Sequence, residues 1–161
     1  MGVKVTVISV GKVKDKYLKL GIDEFKKRLS RFCKLELIEV KDEPIDEESS
    51  DNDLDIVRKK EGKHILNKLP DSAYIIVTDI EGREMKSEQL ADKIQSIMTY
   101  RQSHITFIIG GSVGISDEVK KSCDLILSLS KMTFPHQLFK LILLEQIYRA
   151  FKINANESYH K

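Results

Sequence analysis

The stretch Ile105-Thr106-Phe107-Ile108-Ile109-Gly110-Gly111-Ser112-Val113-Gly114-Ile115-Ser116-Asp117-Glu118 decides the fold. Its first five residues are a short apolar run, the length of a buried strand and too brief for a buried helix. Glycines end it. Ser116, followed by Asp117 and Glu118, reads as the N-cap and acidic first turn of a short helix. A strand without polar alternation is covered on both faces, which is the habit of a parallel sheet between helices.

The same alternation extends in both directions. Val3, Val5, Val7, Ile8 and Val10 form an opening strand ended by Gly11, and positions 15–31 read as a helix with Leu18, Ile22, Phe25 and Leu29 near helical spacing. Leu35, Leu37 and Val40 mark a second strand. The acidic segment with Pro44 and Ser49-Ser50 reads as a surface loop, and 54–69 as a helix stopped by Pro70. A buried strand over 73–78 ends in a turn at Glu81-Gly82. A helix from Ser87, read as its N-cap, runs to about Tyr100. Leu125, Ile126, Leu127 and Leu129 form the last strand, and Pro135 introduces a long helix ending near Phe151. Five strands alternating with five helices predict an α/β fold, a mostly parallel sheet sandwiched by helices, in one domain over 1–161.

Composition narrows the class. With 41% hydrophobic and 32% charged residues the chain is neither disordered nor membrane-spanning, so no membrane partner is expected. The opening lacks a signal-peptide pattern, and Cys33 and Cys123 stand apart as free thiols, which together predict a cytoplasmic protein. The four histidines are scattered singly, so no metal site is expected. Net charge is +2, but it is unevenly spread. Residues 42–55 hold eight carboxylates and no Lys or Arg. Lys12, Lys14, Lys16, Lys19, Lys26, Lys27, Arg28, Arg31 and Lys34 form a basic stretch on which a polyanion can dock. The last helix, apolar almost all round from Leu138 to Phe151, predicts burial of two faces and therefore a homodimer.

Ligands in such sheets sit beyond the carboxyl ends of the strands, here Thr78, Gly110 and Leu129 onward. The glycine loop matches neither the dinucleotide fingerprint nor the phosphate loop of NTPases. The loop 129–136 offers backbone groups beside apolar walls, suited to a ligand with an aromatic ring and polar edges such as adenine. The tail with Tyr159 and His160 is either frayed or folded back over a site. No Ser-His-Asp order or paired-carboxylate spacing supports hydrolysis. On residues alone, a flavodoxin-like nucleotide-binding module and a dimeric interaction protein both stay open.

The strings Ile109 to Gly114, Leu127 to Gln137, Glu145 to Ala150 and Tyr159-His160, with Val7 to Lys12 and Glu61-Gly62, resemble the RlmH family of the SPOUT methyltransferases across essentially the whole chain. The resemblance implies an α/β knot with a C-terminal trefoil and a homodimer with S-adenosylmethionine as methyl donor. It implies methylation at N3 of a pseudouridine in 23S ribosomal RNA of the assembled ribosome, with RNA and not DNA as partner. By position it implies a cofactor pocket of Thr78, Gly110, Leu129, Ser130, Lys131, Met132, Thr133 and Phe134. Thr78 replaces an expected leucine, so a backbone or packing contact is expected there. His160 is the candidate base, Tyr159 a base or stacking partner, and Arg149 the charge stabiliser. The basic stretch with Lys131, Lys140, Arg149 and Lys152 would meet RNA. The acidic segment 42–55 would face away from it, and His136 would support the helix start.

Overall fold

The computed structural model describes residues 2–161. The elements follow as β1 (Lys4–Val10), α1 (Lys16–Leu29), β2 (Lys34–Val40), α2 (Asp51–Leu66) and β3 (Tyr74–Glu84). After them come α3 (Ser87–Tyr100), β4 (His104–Ile109), α4 (Asp117–Lys121), β5 (Leu125–Ser128) and α5 (His136–Asn154). The sheet has the order β2-β1-β4-β3-β5, and every strand pairing among the described residues is parallel. This sharpens the expected mostly parallel sheet. It also departs from the 2-1-3-4-5 order of flavodoxin-like folds.

The apolar runs are central because both faces of their strands are covered. Val7, Ile76 and Phe107 point to a core with α1, α3 and α5. Ile8, Val77 and Ile108 point to the opposite core with α2 and α4. All six side chains are fully excluded from water, and each contributes roughly 1.5–3 kcal/mol of burial. α5 packs between α1 and α3 over the sheet. More of its apolar circumference is therefore satisfied within one chain than its sequence implied. A strip stays partly open: Leu138, Leu141 and Ile142 on α5, with Tyr17 (67% exposed) and Leu20 (60%) on α1.

Three of the differences from the sequence reading have a local cause. β3 does not end in a turn at Glu81-Gly82. It bulges after Thr78 and resumes, so that Arg83 and Glu84 pair with Leu127 and Ser128 of the edge strand. A side chain at Gly82 would press on the Ile126 and Leu127 backbone, so glycine permits the close approach. α2 begins at Asp51, before the expected 54, because Ser50 and Asp53 form a reciprocal capping box (Asp53 N–H to Ser50 Oγ, 3.1 Å; Ser50 N–H to Asp53 Oδ2, 3.1 Å). Ser87 is the first residue of α3 and not its cap. Gln89 Oε1 accepts the Lys86 N–H at 2.7 Å, and the Ser87 hydroxyl instead donates to Gln146 Oε1 at 2.7 Å. Ser116 caps α4 as expected, accepting from the Val119 N–H at 3.3 Å.

Candidate active site

The break in β3 after Thr78, the carboxyl end of β4 and the loop after β5 meet at a cleft of about 670 Å³, counted to its open mouth. Each contributes for a local reason. β3 supplies Thr78, Asp79 and Ile80 where its ladder breaks; the Thr78 hydroxyl donates to the Ile108 carbonyl at 2.8 Å, so it packs inward and leaves its backbone to the cleft. β4 supplies Ile109, Gly110 and Gly111. The turn closes by Gly114 N–H to the Gly111 carbonyl at 3.1 Å, with Gly114 at φ +85°, a region L side chains avoid. The loop after β5 is held by its own serines: Ser128 Oγ donates to the Ser130 carbonyl at 3.0 Å, and Ser130 Oγ accepts the Met132 N–H at 3.0 Å. Leu129, Ser130, Met132, Thr133 and Phe134 line the cleft from that loop.

The cleft thus gathers Thr78, Gly110, Leu129, Ser130, Met132, Thr133 and Phe134 of the expected set. Lys131 does not line it, and its side chain is exposed at the rim. Asp79, Ile80, Gly111, Ile115, His136 and Phe139 also line it and were not singled out as cofactor residues from sequence. Phe134 and Phe139 lie with ring centroids 6.4 Å apart, an apolar wall suited to an aromatic ring. Among the described residues Asp79 is the one carboxylate of the lining, 3.5 Å from Lys120 Nζ, and no Lys or Arg lines the cleft. A cationic sulfur compound carrying an adenine ring is therefore compatible with the cleft, and its adenine edges would meet backbone groups. His136, read as structural, is the first residue of α5 and part of this wall.

Arg149, Tyr159 and His160 assemble elsewhere. The chain reverses after α5 at Asn156, φ +54°, and the tail docks on α5. Tyr159 donates to Glu145 Oε2 at 2.8 Å, and Arg149 Nη2 donates to the same oxygen at 2.6 Å. Arg149 Nη1 meets His160 Nδ1 at 3.0 Å, and the guanidinium lies 4.8 Å from the Tyr159 ring centroid. A guanidinium only donates, so Nδ1 accepts; His160 Nε2 then carries the hydrogen shared with Glu88. The tail is folded back and not frayed, and the trio sits together without lining the cleft of its own protomer. Burial and the bond to Glu145 push the Tyr159 phenol above its ordinary range, so it is held as a donor and not a phenolate. Glu145 and Glu88, which organise the trio, were not assigned roles from sequence. Their one signal was the i, i+4 spacing of Glu145 and Arg149.

The expected RNA-facing cations need revision. Lys140 is only 4% exposed, so it lies at the bottom of a cleft and not on the open surface. Lys152 and Arg149 are paired with Glu157 (3.4 Å) and Glu145 (2.6 Å). Lys12, Lys14, Lys16 and Lys19 are exposed at the edge where β1 leads into α1, and they carry no carboxylate partner among the described residues. The acidic segment starts at the same edge, with Asp42 beside Gly11, then passes to the α2 face.

Fold and cleft together define a methyltransferase of the SPOUT type, and residues 3–160 match the family described as predicted SPOUT methyltransferase, to which the chain belongs. Its donor in this family is S-adenosylmethionine. Curated relatives then narrow the class to the RlmH family. The chain is 53% identical over 157 residues to the ribosomal RNA large subunit methyltransferase H of Clostridioides difficile (strain 630), covering 98% of this chain and 99% of the relative. It is 54% identical over the same length to that of Alkaliphilus oremlandii (strain OhILAs), with the same coverage. Among solved structures, a probable methylase family protein from Haemophilus influenzae Rd KW20 shares the fold, with TM-score 0.52 and 14% identity over 98% of this chain and 70% of the other. The flavodoxin-like and interaction-only alternatives are set aside by this membership.

Proposed function

We propose that the chain transfers a methyl group to N3 of a pseudouridine in large-subunit ribosomal RNA, on the assembled ribosome, as a single-domain cytoplasmic homodimer. The observation that carries this reading is the convergence of Thr78, Gly110 and the loop 129–134 on one cleft. Identity of 53–54% to relatives named as large-subunit rRNA methyltransferases supports the substrate. The half-open strip of Tyr17, Leu20, Leu138, Leu141 and Ile142 supports the dimer. No helix among the described residues is long and apolar enough to cross a membrane. Membership of the family supports a C-terminal knot as part of the same reading.

S-adenosylmethionine, when bound, supplies an electrophilic methyl on sulfur. Gly110 and Thr78 would hold it by backbone, and Phe134 and Phe139 would flank its ring. Methyl transfer is an in-line displacement, so the walls mainly fix orientation and exclude water. The acceptor N3 must lose its imide proton, and the flanking carbonyl oxygens then gain negative charge. Arg149 moves from His160 Nδ1 to those oxygens and stabilises the charge. That release frees the Nδ1 lone pair to take the N3 proton. Tyr159 keeps Glu145 occupied and provides a ring against which a base can stack. Because the trio lies outside its own protomer's cleft, it serves the cleft of the partner in the dimer.

The test is transfer of labelled methyl to intact ribosomes compared with free RNA, followed by mapping of the modified nucleotide. Label on ribosomes at a pseudouridine is expected; label only on free RNA, or none, refutes the reading. His160→Ala is expected to lower turnover by roughly 10²–10⁴-fold with donor affinity nearly intact. Equal loss of both would remove His160 from the chemistry.

A further inference from the structure

A second cleft, about 740 Å³ to its mouth, opens between α1, β2 and α5 and is lined by Val13, Lys19, Asp23, Lys26, Glu39 and Lys140 among others. Its floor is Lys140, whose side chain is 4% exposed. The nearest carboxylate oxygen, Glu39 Oε2, stands 3.6 Å from the Lys140 ammonium, beyond hydrogen-bond distance, and that oxygen already accepts the Val13 N–H at 3.3 Å. An ammonium held at this depth by a single long ion pair keeps donors free for a further oxygen acceptor. Burial accordingly pushes its pKa below the ordinary lysine range, with Glu39 opposing. Such a group is completed by oxygen acceptors brought from outside.

The surroundings select the acceptor. Lys19 and Lys26 stand at the mouth with the exposed Asp23, giving three cations against two carboxylates. Lys12, Lys14 and Lys16, exposed and without a carboxylate partner among the described residues, lie next to or near Val13 of the lining in the chain. α5 forms the wall between the two clefts, since Phe139 lines the donor cleft and its neighbour Lys140 lines this one. We propose that this cleft seats one phosphate of the RNA backbone, with Lys140 at its floor and Lys19 and Lys26 at its mouth. RNA is thereby gripped on one side of α5 while the donor is held on the other. This inference rests on the RNA-methyltransferase reading and adds to it a built contact with the backbone of the substrate.

The test measures binding of large ribosomal subunits to the full chain against NaCl concentration, with donor affinity and melting temperature recorded for every variant. Lys140→Met, which keeps the stem and removes the charge, is expected to weaken particle binding about tenfold and to flatten the slope of log K against log salt by about one. Lys140→Arg is expected to retain the slope, and donor affinity is expected to stay unchanged in both. The surface pair Lys19→Ala and Lys26→Ala gives a second slope that does not depend on the buried position, expected to flatten by about two. Unchanged slopes in a wild type that binds and methylates the particles would overturn the phosphate seat and leave the functional reading standing. Failure of the wild type itself to bind or methylate would sink both. Inorganic phosphate at matched ionic strength separates the sources: competition with particle binding that is lost in Lys140→Met supports the RNA seat, whereas phosphate binding that is lost in Lys140→Met without any competition against the particle marks a free-phosphate site and overturns the RNA assignment.

Discussion

The two clefts on either side of α5 are built on opposite plans. The donor cleft is made of backbone: a glycine turn, a broken strand end and a loop folded by its own serines, with apolar walls. The Lys140 cleft is made of charged side chains standing on a strand and two helices. Backbone groups hold a small ligand of fixed shape and tolerate change in exposed side chains. Charged side chains hold a polyanion through long-range attraction and are sensitive to each charge and to salt. The contrast predicts that substitutions act on one cleft through shape and on the other through charge.

Gly110→Ala is the strongest way to break that contrast. A Cβ there would lie 2.7 Å from Ile115 Cδ1 and 3.2 Å from the Gly114 carbonyl carbon. Ile115 must turn toward the cleft it lines, and the Gly114 backbone must give by a few tenths of an ångström. Donor affinity measured by calorimetry is expected to fall by about tenfold, since overpacking of this kind costs about 1–3 kcal/mol. Lys131→Ala, at an exposed rim position, is expected to change it by less than about threefold. A larger effect from Lys131 than from Gly110 would show that side chains hold the donor. Gly82→Ala tests the bulge that lets β3 support the cleft. Its Cβ would come 2.8 Å from both the Ile126 carbonyl oxygen and the Leu127 carbonyl carbon, backbone atoms that cannot rotate aside. Denaturant unfolding is expected to show a loss of about 1–3 kcal/mol.

The same division explains what could be read from sequence. The strands were legible because burial on both faces writes itself as unbroken apolar runs, as in Ile75-Ile76-Val77 and Phe107-Ile108-Ile109. The continuation of β3 was not, because Glu81-Gly82 carries a turn signal and only the neighbouring β5 backbone makes it a ladder. The start of α2 was hidden by an acidic run that looks like solvated loop until Asp53 is seen to close on Ser50. In the donor cleft, the glycine turn was legible as a turn and silent as to ligand. The residues of the β5 loop were assigned through a resemblance and not through spacing. The depth of Lys140 was not legible because charge predicts exposure, and its burial follows from how tightly α1 lies on α5, where Leu141 packs against Gly21. The tail stayed open in sequence because its docking depends on contacts with Glu145 and Glu88, one of them on a helix far back in the chain.

Glu61 sharpens the comparison from behind the donor cleft. It lies on α2, 4% exposed, with Oε2 accepting the Glu43 N–H at 2.9 Å and Oε1 without a partner, close behind Gly111. Burial holds its carboxyl above the ordinary glutamate value of 4.5, reinforced by Asp42 and Glu43 and opposed by the Glu43 N–H and His64. Just above pH 4.5 the unfolded chain releases this proton while the folded chain keeps it. The folded state then binds more protons, and the contribution of Glu61 to stability falls as pH rises from 4.5 through its folded pKa. Glu61→Gln keeps an acceptor for the Glu43 N–H and removes the ionisation. The variant is expected to match the wild type in melting temperature near pH 4.5 and to exceed it progressively at higher pH, the smallest of the three effects. Because Glu61 stands behind the turn and does not line the cleft, donor affinity is expected to stay unchanged. A wild type that instead gains on the variant as pH rises would mean the ionised carboxylate is satisfied where it lies, and a drop in donor affinity would mean the glycine turn depends on that side chain and is not held by backbone alone.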